Sequence, residues 1–98
     1  MKTMFVSQPM AGRTTEEIRK ERNEVKKRFE GSYEIADTLF EYTMNDDKHD
    51  LALYKLGDAI MKMATCDTVC FVTGWEKARG CRIEHMCAEL YDKKIIHL

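Results

Sequence analysis

The run from Asp67 to Val72, DTVCFV, constrains this chain more than any other stretch. It is rich in β-branched and aromatic residues and does not alternate between apolar and polar, the pattern of a strand covered on both faces. Thr3 to Ser7 (TMFVS) and Lys94 to Leu98 (KIIHL) read as further apolar strands, and Tyr33 to Ala36 as a short one at an edge. Between them lie segments with helical spacing. Thr14 and Glu17 form a capping box, after which Ile18, Arg22, Val25 and Phe29 recur on one side until Gly31 stops the helix. Leu51 to Thr65 places Leu53, Leu56, Ile60 and Met63 together, and a last helix spans about Arg79 to Tyr91. The stretch from Asp37 to Asp50 is polar and acidic, with no clear period.

The order is therefore β-α-β-(loop)-α-β-α-β. Strands separated by helices require right-handed crossovers and a parallel sheet. We expect a single α/β domain over residues 1–98, a flavodoxin- or Rossmann-like three-layer fold with four parallel strands and helices on both faces. A length of 98 residues suits one modest core. Acidic and basic residues nearly balance, for a net charge of −1, which removes the basic field that nucleic-acid polymers demand. No segment resembles a secretory leader or a bilayer span, so the expected location is cytoplasmic with no membrane partner. Cys66, Cys70, Cys81 and Cys87 form no C-x-x-C pair and sit in apolar runs, which argues for reduced small hydrophobes rather than a zinc or redox site. There is no Gly-Lys-Ser/Thr for a P-loop, and His49, His85 and His97 make no metal or triad spacing, so no metal or cofactor is expected.

In open parallel sheets ligands sit beyond the carboxyl ends of the strands, where strand order reverses. That rule selects Ser7 to Arg13 after the first strand and Thr73 to Gly80 after the third. Gly12 and Arg13 before a capped helix can hold an anion, or Arg13 can be a plain surface residue. Trp75 can stack a base or simply cover the end of the sheet. Asp58 can face the cleft or the solvent.

Glu84 lies between Gly80 one turn before it and Ala88 one turn after it, so little side-chain bulk stands directly above or below it. With Ile83 as the centre of the core face, Met86, Cys87 and Leu90 fall within about 60° of it and Glu84 about 100° round, on a flank. A position near the helix start favours an ionised carboxylate, the state of a nucleophile at a sugar carbon. An ordinary surface glutamate fits the same spacing.

Several separated motifs agree in order. Ser7-Gln8-Pro9-Met10-Ala11-Gly12-Arg13, Cys66-Asp67 with its apolar strand, Gly74-Trp75-Glu76, and Gly80-Cys81 followed by Glu84 and Ala88 together resemble the nucleoside 2-deoxyribosyltransferase superfamily, in particular a small branch found in bacteria and phages. The resemblance implies that Glu84 attacks the anomeric carbon, that Asp58 protonates the leaving base, and that Ser7, Gly12 and Arg13 take a 5′-phosphate. Gln8, Met10, Gly74, Trp75 and the backbone at Gly80 complete the implied substrate contacts. The implied ligand is a nucleoside or its 5′-monophosphate, and the implied assembly is a homodimer or larger. Ala78 stands where relatives carry Asp or Ser, Phe5 where transferases carry Tyr, and the carboxy-terminal segment that some relatives extend past the fourth strand is not seen after Leu98. These departures favour hydrolysis, or nucleotide binding and sensing without turnover, over transfer.

Overall fold

A computed structural model describes residues 1–36 and 51–98. The polar stretch from Asp37 to Asp50 lies outside the described residues. The elements are β1 (Lys2–Ser7), α1 (Thr15–Arg28), β2 (Tyr33–Ile35), α2 (Leu51–Met63), β3 (Thr68–Phe71), α3 (Arg79–Leu90) and β4 (Lys94–His97), with a 3₁₀ turn over Trp75–Lys77. The four strands pair in parallel in the order β2-β1-β3-β4, so the polarity of the strand order reverses beside β1 and β3. This is the expected small Rossmann-like sheet, with β2 and β4 at its edges.

Side chains of a strand alternate between faces, and here both faces are apolar. Met4, Val6, Cys70 and Val72 pack with Val25 of α1 on one side. Phe5, Val69 and Phe71 pack with Met63 of α2 and Ala88 of α3 on the other. That double cover is why neither central strand alternates in sequence.

The helix ends follow local chemistry. Thr14 caps α1 by accepting the Glu17 N–H at 3.1 Å, and Gly31 takes a left-handed conformation just past the helix, where a Cβ would be strained. Lys93 reaches the Cys66 carbonyl at 2.7 Å, setting a cation against the end of α2. Asp67 accepts the Thr3 backbone N–H at 3.2 Å and ties the starts of β1 and β3 together.

Two helix faces differ from the sequence expectation. On α3 the buried residues are Cys81, Glu84 and Ala88, while Met86 is 61% and Leu90 73% exposed, and Ile83 is also exposed. Glu84 is therefore on the inner face and the bulky apolar ridge is on the outer one. The reason is steric: small Cys81 and Ala88 let the helix approach the sheet, whereas an Ile-Met-Leu face would hold it away. On α2, Leu53 is exposed, and the inner side is carried by Ala59 and Met63, with Leu56 and Ile60 half-buried.

Candidate active site

The carboxyl ends of the central strands bring Ser7 and Phe71 into register, with His97 of β4 alongside. Ser7 closes β1 and is buried, and its hydroxyl donates to Glu84 Oε1 at 2.7 Å. Glu84 is 7% exposed and lies in the second turn of α3, beyond the first-turn reach of the helix dipole. Burial accordingly dominates and raises its pKa to about 7, opposed by the Ser7 hydrogen bond and by the charge of Arg22. The carboxyl is then roughly half protonated at neutral pH, rather than fully ionised as a helix-start position suggests. One turn before it, a Cβ added to Gly80 would meet nothing within 4 Å, so space stands open there.

Cys81 shares this inner face. Burial pushes its thiol up to about 11 and the neighbouring Glu84 adds to the effect, against a Ser7 hydrogen bond that lowers it. It is a thiol at neutral pH and a poor nucleophile. Of the two reactive groups on the face, only Glu84 is substantially ionised under physiological conditions.

Arg22 is the residue that reading the sequence missed. It is 2% exposed, and its Nε donates to Gln8 Oε1 at 2.7 Å and its terminal nitrogen to the Val6 carbonyl at 3.3 Å. The signal was present: an arginine in an apolar helical stripe must satisfy its charge inside the fold. Gln8 Nε2 in turn donates to the Ile18 carbonyl at 3.1 Å and to Glu21 Oε1 at 3.0 Å. Gln8 thus clasps the end of β1 to α1 through both ends of its amide. Arg13 donates to the Pro9 carbonyl at 2.8 Å and pairs with Glu21 at 2.9 Å, which holds its guanidinium firmly charged. Gly12 adopts a positive φ of 74° in this turn, Met10 is exposed, and the first turn of α1 carries Glu16 and Glu17.

The second turn is ordered by Gly74, whose φ of 94° starts the 3₁₀ turn. Trp75 packs against the Phe71 cluster and stacks on His85 at 4.1 Å with rings 9° apart, so it covers the end of the sheet. Ala78 begins α3 without a side-chain cap. Asp58 borders a surface depression with Met61 and Lys62 of α2 and Thr65 just past its end. The fold brings Ser7 and Glu84 together, with the charge of Arg22 near enough to lower the Glu84 pKa.

A parallel α/β domain carrying a hydroxyl-bonded, buried carboxylate at the switch point of its sheet is the class that fold and site define. The chain belongs to the family described as Domain of unknown function (DUF4406), which matches residues 2–97. No curated protein and no solved structure matches it.

Proposed function

We propose that the protein cleaves the N-glycosidic bond of a nucleoside or nucleoside 5′-monophosphate, with Glu84 as nucleophile. The observation that carries this reading is the Glu84 carboxyl held at 2.7 Å by the Ser7 hydroxyl on the inner face of α3, beside the space at Gly80. Ionised Glu84 attacks C1′, and the C1′–N bond breaks with its electrons passing to the base, which takes up a proton. Water then hydrolyses the glycosyl ester, or a second base accepts the sugar in a deoxyribosyl transfer. The sequence resemblance assigns the proton donor to Asp58. The Ser7 hydrogen bond keeps one carboxylate oxygen engaged and leaves the other to attack.

Arg13 is already neutralised by Glu21, and the start of α1 is acidic. These features support the uncharged nucleoside over its 5′-monophosphate. The exposed Ile83, Met86 and Leu90 ridge of α3 supports a homodimer or larger assembly. Among the described residues no helix is long and apolar enough to cross a membrane, and the four cysteines are unpaired, which supports action in a reducing cytoplasm.

The test is incubation with ribo- and deoxyribonucleosides and their 5′-monophosphates, with free base read by chromatography. Base released by the parent and lost in Glu84→Gln upholds the reading. Saturable binding without release would replace it with a nucleotide-sensing module, which the departure at Ala78 favours.

A further inference from the structure

His85 and His97 are 12 residues apart in sequence, yet their Nε2 atoms lie 2.9 Å from each other. The surroundings fix one of the two rings. His85 Nδ1 contacts Glu89 Oε1 at 2.7 Å, one helical turn on, and a carboxylate only accepts, so the proton of the neutral ring is on Nδ1. Its Nε2 therefore carries a lone pair aimed at His97. Trp75 stacks over the His85 ring, and Phe71 packs beside it with ring centres 4.6 Å apart. His97 ends β4 and is exposed, and its ring lies against Trp75 at 5.5 Å and Phe71 at 5.9 Å, so it can turn only within this stack.

An imidazole whose second nitrogen is held by a carboxylate is the usual outer-shell arrangement of a metal-binding histidine, because it sets the tautomer and raises ligand basicity. We propose that His85 and His97 bind a divalent transition ion of the imidazole-preferring group, Ni(II), Cu(II) or Zn(II), through their Nε2 atoms. The ion takes the place of the hydrogen that bridges the rings, and that proton moves through solvent to His97 Nδ1. Two bonds of about 2.0–2.1 Å at a tetrahedral angle set the nitrogens roughly 3.3 Å apart, a small opening that a rotation of His97 supplies. Among the described residues no third His, Cys, Asp or Glu joins them, so water completes the coordination.

Trp75 is the chain's single tryptophan and stacks on both rings, at 4.1 Å from His85 and 5.5 Å from His97, which makes it a built-in reporter. The experiment is a titration of the tag-free protein with Ni(II), following Trp75 fluorescence, with Zn(II) as competitor and a chelator to reverse the signal. Saturable quenching is expected, relieved by Zn(II) and by chelation. It should be lost in His97→Ala, a surface change that leaves circular dichroism intact, and weakened about tenfold in Glu89→Gln. His49→Ala, removing the remaining histidine, should leave it unchanged. Absence of saturable quenching, or quenching that survives in His97→Ala, overturns the proposal. Because the readout uses no substrate, its outcome is independent of whether Glu84 cleaves nucleosides.

Discussion

At the scale of single residues, Glu84 is a buried carboxyl whose proton affinity the fold changes. Its pKa is about 7 in the folded chain, above the ordinary glutamate value of 4.5. The folded state therefore holds the proton more tightly, and the stability that protonation confers is present below about pH 4.5 and lost as pH rises through about 7. Glu84→Gln keeps an acceptor for Ser7 and removes the cost of a buried charge. It should raise stability by roughly 1–3 kcal/mol at pH 8 and much less at pH 4.5, measured by urea unfolding at both pH values. Ser7→Ala acts in the opposite sense on the site. Losing a hydrogen bond that favours the charged form moves the Glu84 pKa further up, so the acid limb of the pH–rate profile should shift to higher pH while activity at pH 9 is less affected. A profile with an unmoved acid limb would separate Ser7 from control of the carboxyl.

Among the elements, the pairing of β1 with α1 decides whether the site is held in place. Arg22 reaches from α1 to Gln8 and to the Val6 carbonyl, and Gln8 reaches back to Ile18 and Glu21. Arg22→Ala removes the donor to the buried Gln8 Oε1 and to the Val6 carbonyl and should cost about 1–3 kcal/mol in chemical denaturation. It also removes a positive charge that lowers the Glu84 pKa, so in whatever folds the carboxyl should titrate at higher pH. The apolar ridge of α3 belongs to this scale too. Small residues face the sheet, and Ile83, Met86 and Leu90 are turned outward, a pattern that periodicity alone assigns the other way round. If the ridge is the contact between copies, Met86→Glu should convert an oligomer to a monomer by light scattering at micromolar concentration, with secondary structure unchanged. A parent that is already monomeric would remove the ridge from consideration as a contact.

For the whole molecule, the architecture was legible because its determinants are local. Continuous apolar runs in β1 and β3 and the capping box of α1 each act within a few residues. Strands alternating with helices admit few topologies, so four parallel strands followed from their order. The rule that places ligands at the carboxyl ends of strands selected the turns that flank the Ser7–Glu84 pair. The sequence by itself thus determined the elements, their parallel arrangement and the end of the sheet that carries Ser7 and Glu84. It did not determine which side of α3 faces inward, because helical spacing ranks residues by size and polarity, whereas closeness to the sheet rewards Cys81 and Ala88. Nor did it determine the protonation of Glu84, since Ser7 lies 77 residues away and burial is a property of the assembled core. The meeting of His85 with His97 was hidden for the same reason. Charge, proton affinity and reach between distant side chains depend on what the fold removes from water, and only tertiary structure sets that.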